Sequence, residues 1–312
     1  MNANLERQTT VGRAVGLSGV GVHSGERVAM SVSPAKAGAG IVFRRIGADT
    51  RTLSDVAANI ANIGTTELCT TLVGHGWSVS TVEHLLSGLS GLGVDNAVIE
   101  IDGAEVPVMD GSSAAFVEAI DRAGIVTLDA PREYIRIIRP VRVEVGRSYA
   151  ELRPHEGRQL EIELDYANPI VGRQRFAIDV TPEAFRQDMS AARTFGFFGD
   201  VESLRARGLA RGASLENTLV IGDKALLNPE GLRFADEFAR HKAIDALGDL
   251  ALAGAPILGS YRSYRGGHSI NARMLEVLFA TPSAWERVFK PARQSDLAEP
   301  DRATVLPQLR PA

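Results

Sequence analysis

Two groups of strand-like segments, each followed by helices, dominate the sequence. Alternating or continuous apolar residues predict strands in the first half at 27–34, 40–46, 68–73 and 96–102. Helical spacing in that half covers 80–93, with Ser80 or Thr81 as N-cap, and 112–124. The second half predicts strands at 134–145, 149–154 and 159–166, and helices at about 182–188, 200–207, 234–253 and 268–280. This order predicts an α+β fold of two similar domains.

The length of the chain also favours two domains. Its 312 residues exceed one ordinary core and suit two units of about 150 residues each. A turn-rich segment at 127–133 separates the two groups, so we predict domains at 1–128 and 129–285. Residues 286–312 carry Pro, Asp and Arg without periodicity, which predicts a loose C-terminal tail.

Composition excludes several classes of protein. With 45% apolar and 23% charged residues the chain is typical of globular proteins, and its net charge of −4 comes without a basic tract for nucleic acid. The one cysteine, Cys69, excludes a disulfide framework and a cysteine-based zinc finger. The N-terminus lacks an apolar signal region, and no apolar run reaches the roughly 20 residues of a spanning helix. We therefore expect a cytoplasmic protein.

The predicted helix around 234–250 carries an unusual row of side chains. Glu237, His241, Asp245 and Asp249 recur every four residues, about one helical turn, so they lie along one side. Three carboxylates and an imidazole would suit a bound cation. Taken alone, the row is more typical of a solvated face with salt bridges to neighbouring basic residues.

Two other segments carry candidate site residues. Glu83 and His84 are adjacent within an otherwise apolar helix. His268 follows two glycines at the start of another predicted helix, where the backbone can approach closely. A lone histidine at position 84 is more often a core or surface residue, and His268 alone is equally well explained as a residue without function in the first turn of its helix.

Together the three segments suggest a catalytic metal site. A catalytic zinc takes three protein ligands and keeps one position open, and His84, His241 and Asp245 would supply two imidazoles and a carboxylate. Glu83 could then take a proton from the attacking water, and His268 could act as a second acid. The hypothesis requires three separated segments to meet in the fold.

Three further residues complete this hypothesis. Asp249, one turn beyond the ligands, could orient and charge the second acid. Either Lys242 or Thr194 could stabilise an oxyanion.

Several motifs between residues 8 and 280 resemble one known family in content and order. They are QTTVGRAVGLSGVGVHSGERV (8–28), TTELCTTL (65–72), STVEHLLSGLSGLGVDNAVIEIDGAEVPVMDGSSAAFV (80–117), ARTFGF (192–197), LENTLV (215–220), LNPEGLRFADEFARHKAIDALGDL (227–250) and GHSIN (267–271). They resemble the UDP-3-O-acyl-N-acetylglucosamine deacetylases, zinc amidases that commit Gram-negative bacteria to lipid A synthesis. The resemblance implies two α+β domains packed helix layer to helix layer, with the active site between them.

The resemblance assigns roles residue by residue. Those implied are zinc ligands at His84, His241 and Asp245, a general base at Glu83, and a general acid at His268 with Asp249 as its partner. Thr194 matches a residue that helps hold the oxyanion, and Lys242 and Phe195 match residues that contact substrate. The implied reaction removes the 2-acetamido group as acetate. The implied partner is a UDP-linked acylated amino sugar, bound by a protein that we expect to be a monomer.

Two alternatives to this function stay open at the level of sequence. The chain could be a zinc amidase acting on another acylated amino sugar, or a catalytically inactive member that binds a UDP-sugar. The intact set of candidate residues argues against the second. The resemblance also implies an apolar passage for the acyl chain in 194–212, although Leu204 and Leu209 there are equally well explained as core residues.

Overall fold

The computed structural model describes residues 5–47 and 54–292. Its strands are β1 (Arg7–Val11), β2 (Val15–Val20), β3 (Arg27–Pro34), β4 (Ile41–Arg45), β5 (Val56–Ala57), β6 (Leu72–Val73), β7 (Ser78–Val79), β8 (Ala97–Ile101), β9 (Ile125–Pro131), β10 (Glu133–Ile137), β11 (Val141–Val145), β12 (Ser148–Arg153), β13 (Arg158–Asp165), β14 (Arg173–Asp179), β15 (Phe195–Phe197), β16 (Leu219–Ile221), β17 (Ile257–Tyr264) and β18 (Trp285–Phe289). Its helices are α1 (Glu83–Leu92), α2 (Ala114–Ala123), α3 (Pro182–Ala184), α4 (Val201–Ala206), α5 (Glu237–Leu250) and α6 (His268–Phe279).

A five-stranded sheet organises the first half of the chain. Its order is β2-β3-β8-β4-β5, antiparallel except for the parallel pair β4 and β8. Alternate residues of β8 are buried, as expected for a strand covered on one face. Ile99 and Ile101 of β8 join Leu85 and Leu89 of α1 and Phe116 of α2 in the apolar core.

A seven-stranded sheet organises the second half around β17. This strand is antiparallel to β12 and parallel to both β10 and β13, while β11, β14 and β18 extend the sheet beyond them. Helix α5 packs on β13 and β14, and α6 packs on β11 and β12.

The two halves meet through their helices. Helix α5 packs along α1, and Gly248 of α5 lies directly against the backbone of Glu83 in α1. A Cβ atom at Gly248 would lie 2.0 Å from the carbonyl oxygen of Glu83, so only glycine permits this approach. The mixed architecture and the facing helices confirm the predicted α+β class and its helix-to-helix packing.

Some predicted elements differ from the structure. The strand predicted at 134–145 is two strands, β10 and β11, with Pro140 between them, since proline cannot donate to a strand ladder. The strand predicted at 68–73 is reduced to β6, because Leu68 has a φ of 62° and breaks the extended chain. The helix predicted at 182–188 is the short α3 followed by a π turn at Phe185–Met189.

The start of α1 and the end of the chain also differ. Helix α1 begins at Glu83 without a side-chain cap, since the hydroxyl of Thr81 donates to Glu105 instead. Strand β18, which pairs with β10, includes the first residues of the predicted loose tail. Residues 293–312 of that tail lie outside the described residues, and β9 runs across the predicted boundary at 128.

Candidate metal centre

Three buried side chains from α1 and α5 converge to a point between the two helices. One nitrogen or oxygen atom from each of His84, His241 and Asp245 lies within 4.8 Å of the others. His84 stands in the first turn of α1, while His241 and Asp245 are one turn apart on α5. The Nε2 atoms of the two imidazoles lie 3.6 and 3.3 Å from Oδ1 of Asp245. The structure therefore brings together residues from both halves of the chain.

The donor set fits a divalent metal ion. In a tetrahedral site with bonds of 2.0–2.1 Å, the ligand atoms lie about 3.3 Å apart, close to the spacing seen here. Oδ1 of Asp245 is buried and has no hydrogen-bond partner in the described chain, so a cation would satisfy it. The Nδ1–H of His241 can donate to the carbonyl of Ala192 at 3.1 Å, which leaves Nε2 free to bind the ion.

The electrostatics of these groups favour the protonation states that can bind a metal ion. Burial lowers the pKa of His84, which favours the neutral imidazole. Burial alone would raise the pKa of Asp245, but Lys242 and His241 hold it well below its usual range. The ammonium of Lys242 donates to Oδ2 of Asp245 at 2.7 Å, and so fixes the carboxylate with Oδ1 towards the two histidines.

Glu83 lies beside this cluster and faces His268. Its Oε1 atom is 3.8 Å from Nε2 of His268, and its Oε2 atom accepts the backbone N–H of Thr70 at 3.0 Å. Burial raises the pKa of Glu83 to about 7, although the nearby His268 lowers it. A carboxyl group with such a pKa can exchange protons near neutral pH.

His268 is held by a chain of buried hydrogen bonds. Its Nδ1 atom lies 2.8 Å from Oδ2 of Asp249, which also accepts from Nδ2 of Asn271. The hydroxyl of Thr70 donates to the other oxygen of Asp249, and the hydroxyl of Tyr261 donates to Asn271. Burial lowers the pKa of His268, but the carboxylates of Asp249 and Glu83 outweigh it and raise the pKa to about 9. The imidazole is therefore charged at neutral pH.

Thr70, Asn271 and Tyr261 were not predicted as site residues from the sequence. Thr70 and Asn271 lie within the motifs at 65–72 and 267–271, so those motifs were the available signal. Tyr261 lies outside every quoted motif and carries no such signal.

Glu237 does not join the cluster, although the predicted row included it. Its carboxylate is fully buried and accepts the Nε–H of Arg193 at 2.9 Å, together with the backbone N–H groups of Arg193 and Arg233. At the first turn of α5 it ties the helix to the preceding segments. Only the three later members of the row face the site.

Of the two residues predicted from the segment at 192–197, only Phe195 has a ring contact with the metal cluster. The ring of Phe195 is 6.4 Å from that of His241 and packs edge-on against Phe238 and Tyr166. Thr194 is held through its backbone by Gly111 and Leu219, and among the described residues it makes no hydrogen bond to the metal cluster.

Comparison with known proteins decides the family. The sequence profile of the UDP-3-O-acyl N-acetylglycosamine deacetylase (LpxC) family matches residues 8–280. The chain belongs to this deacetylase family. Proteins named UDP-3-O-acyl-N-acetylglucosamine deacetylase from Brucella ovis, Brucella canis and Brucella suis are 52% identical over 280 residues, which is 89% of this chain and 97% of each relative. In the described part of this deacetylase family member, no helix is long and apolar enough to cross a membrane.

Proposed function

We propose that this chain hydrolyses the 2-acetamido group of UDP-3-O-acyl-N-acetylglucosamine, giving the free amine and acetate in lipid A biosynthesis. The observation that supports it is the buried cluster of His84, His241 and Asp245 with Glu83 and His268 beside it, in a chain of the deacetylase family. We further propose zinc as the bound ion, a cytoplasmic location, a monomeric state, and two domains divided near residue 128.

In this proposal His84, His241 and Asp245 hold the ion. Zinc bound there would polarise the amide carbonyl and lower the pKa of water. The remaining chemistry is assigned to groups of the chain itself.

Glu83 serves as the general base. Its Oε2 atom is held by the N–H of Thr70, while Oε1 points towards His268 and is free to receive a proton from water. The raised pKa of Glu83 makes the carboxylate a stronger base than an exposed glutamate, which favours proton removal near neutral pH.

His268 serves as the general acid. The leaving amine needs a proton when the C–N bond breaks, and the charged imidazole carries one on Nε2 while Nδ1–H is held by Asp249. Asp249 also stabilises the positive charge before transfer, which accounts for the raised pKa of His268.

The substrate would lie against the outer residues of the site. The hydroxyl of Thr194 would stabilise the oxyanion, the ammonium of Lys242 would contact the substrate beside Asp245, and the ring of Phe195 would line the sugar site. The position of Phe195 near His241 supports this arrangement.

A deacetylation assay tests the proposal. Activity on UDP-3-O-(3-hydroxyacyl)-N-acetylglucosamine should vanish on chelation and return with about one equivalent of Zn²⁺. Glu83→Ala should abolish turnover while still binding zinc, whereas the control Glu276→Ala, at an exposed ion pair with Arg273, should not change the rate. If the protein binds zinc but does not deacetylate this compound, the assignment of the substrate is refuted. If it binds no metal, the assignment of the site is refuted.

A further inference from the structure

A cavity opens between the two halves, away from the metal centre. Its volume is about 400 Å³, within the range of small-molecule sites. Leu89 of α1, Leu160 of β13 and Leu247 and Leu250 of α5 contribute to an apolar wall. None of the proposed catalytic or metal-binding residues lines it. Along α1, Leu89 lies five residues beyond His84, which corresponds to about 8 Å of helix.

Two arginines and two carboxylates, Asp95 and Glu133, lie among the polar residues of this cavity. Arg132 and Asp95 form an ion pair at 2.9 Å, with both side chains largely buried. Arg158 donates to the carbonyl and hydroxyl oxygens of Ser90, at 2.9 and 2.6 Å, and forms no ion pair with any described residue. The cavity therefore contains a guanidinium group whose partners are all neutral.

Among the described residues the charge of Arg158 has no direct ion-pair partner, and the carboxylate of Asp95 acts on it only at longer range. Burial and the positive charge of Arg132 lower the pKa of Arg158 to about 10, so it remains protonated at neutral pH. Glu133 also lines the cavity, but its carboxylate is bound to Arg287. One positive charge is left in excess beside an apolar wall. A partly buried charge of this kind is stabilised by an anion that can accept hydrogen bonds from the guanidinium.

We propose that this cavity binds a single-chain amphiphile with an anionic headgroup. The headgroup, a carboxylate or a phosphate, is held by Arg158 and Arg132, and the acyl or alkyl chain lies among the leucines of α1, β13 and α5. A guanidinium binds either headgroup through two parallel N–H donors. Because the wall belongs to both halves of the chain, the bound molecule contacts the two halves at once.

Calorimetric titration of the full-length protein tests this site. The probes are dodecanoate and dodecyl phosphate, each below its critical micelle concentration, and the neutral dodecanol below its solubility limit. We expect one site for the anions and a Kd about tenfold or more weaker for dodecanol, from the loss of a charged hydrogen bond. The anion with the lower Kd shows whether the site prefers a carboxylate or a phosphate headgroup. Absence of binding by both anions, or equal binding of dodecanol, overturns the proposal.

Three variants locate the bound anion. Arg158→Gln keeps a polar group but removes the charge, and should weaken binding by about tenfold or more. Arg175→Gln, at an exposed ion pair with Glu161, is the matched control and should bind normally. Lys242→Ala should also bind normally, and loss of binding there would place the amphiphile at the metal centre and overturn the proposal. Unchanged binding of the anionic probes by Arg158→Gln would also overturn the proposal.

A second change keeps the test valid if Arg158→Gln does not fold. Ala255 lines the cavity and is only partly buried, so Ala255→Phe should fill the cavity without removing a hydrogen bond. The variant should lose binding of dodecanoate while its circular dichroism stays native. A folded Ala255→Phe protein that binds as the parent does would overturn the proposal.

Discussion

Replacement of Gly248 by alanine tests whether the contact between α1 and α5 positions the metal centre. The new Cβ atom would lie 2.0 Å from the carbonyl oxygen of Glu83 and 2.9 Å from its Cα. Ordinary contact begins near 3.4 Å, so the helices must separate by about 1.4 Å. Backbone atoms form the obstacle, and no side-chain rotation can relieve it.

This displacement should lower both the free energy of unfolding and the deacetylation rate. Overpacking typically costs about 1–3 kcal/mol, partly offset by the roughly 1 kcal/mol gained when alanine replaces glycine in a helix. We therefore expect the free energy of unfolding to fall by up to about 2 kcal/mol. Glu83 and His84 would move relative to Asp245, and a misplacement of about 1 Å can cost roughly 100-fold in rate. Zinc affinity should fall as well.

Urea unfolding, metal titration and the deacetylation rate measure these effects. Gly88→Ala is the matched control on α1, because its Cβ would meet Phe116 at 3.4 Å and Ile120 at 3.9 Å, both ordinary contacts. The control should be as stable as the parent, or more stable by up to about 1 kcal/mol, with an unchanged rate. A Gly248→Ala protein with parental stability, zinc affinity and rate would refute the reasoning.

Three other results are expected. The rate should rise with pH as Glu83 ionises near 7 and fall as His268 loses its proton near 9. A bound cation lowers both pKa values but keeps their order. A pH–rate profile without an alkaline fall would exclude His268 as the acid. Thr70→Val should lower kcat about tenfold with zinc content unchanged, since it removes a donor to Asp249. Glu237→Gln should cost about 1.5–3 kcal/mol in urea unfolding, because it removes one of the two carboxylates that pair with buried Arg193, while Glu230 keeps the other ion pair; a loss no larger than in an exposed-pair variant would contradict this.

The α+β class, the deacetylase family and the hydrolase class were predicted from the sequence and are confirmed. Periodic segments made this possible, because the burial of alternate residues in strands such as β8 follows directly from their pattern. The row on α5 indicated one face of a helix, and three separated motifs suggested a shared site.

Other features depend on contacts that no local pattern contains. Glu237 has the spacing of its neighbours on α5, yet it turns to Arg193, which lies 44 residues earlier in the chain. Thr70 lies in an irregular segment, and its role follows only from the hydrogen bond that its hydroxyl donates to Asp249 of α5. The cavity at Arg158 is formed by both halves, so it exists only in the assembled fold.

The central position of β17 has a consequence for synthesis on the ribosome. The five-stranded sheet is complete in sequence at Ile101, whereas β10, β12 and β13 cannot pair with β17 until residues 257–264 have been made. At typical elongation rates this interval is on the order of ten seconds or more. Throughout it, the face of α1 that later meets α5 has no partner. The nascent chain is therefore most exposed to misassembly after its first sheet is complete in sequence and before β17 has been made.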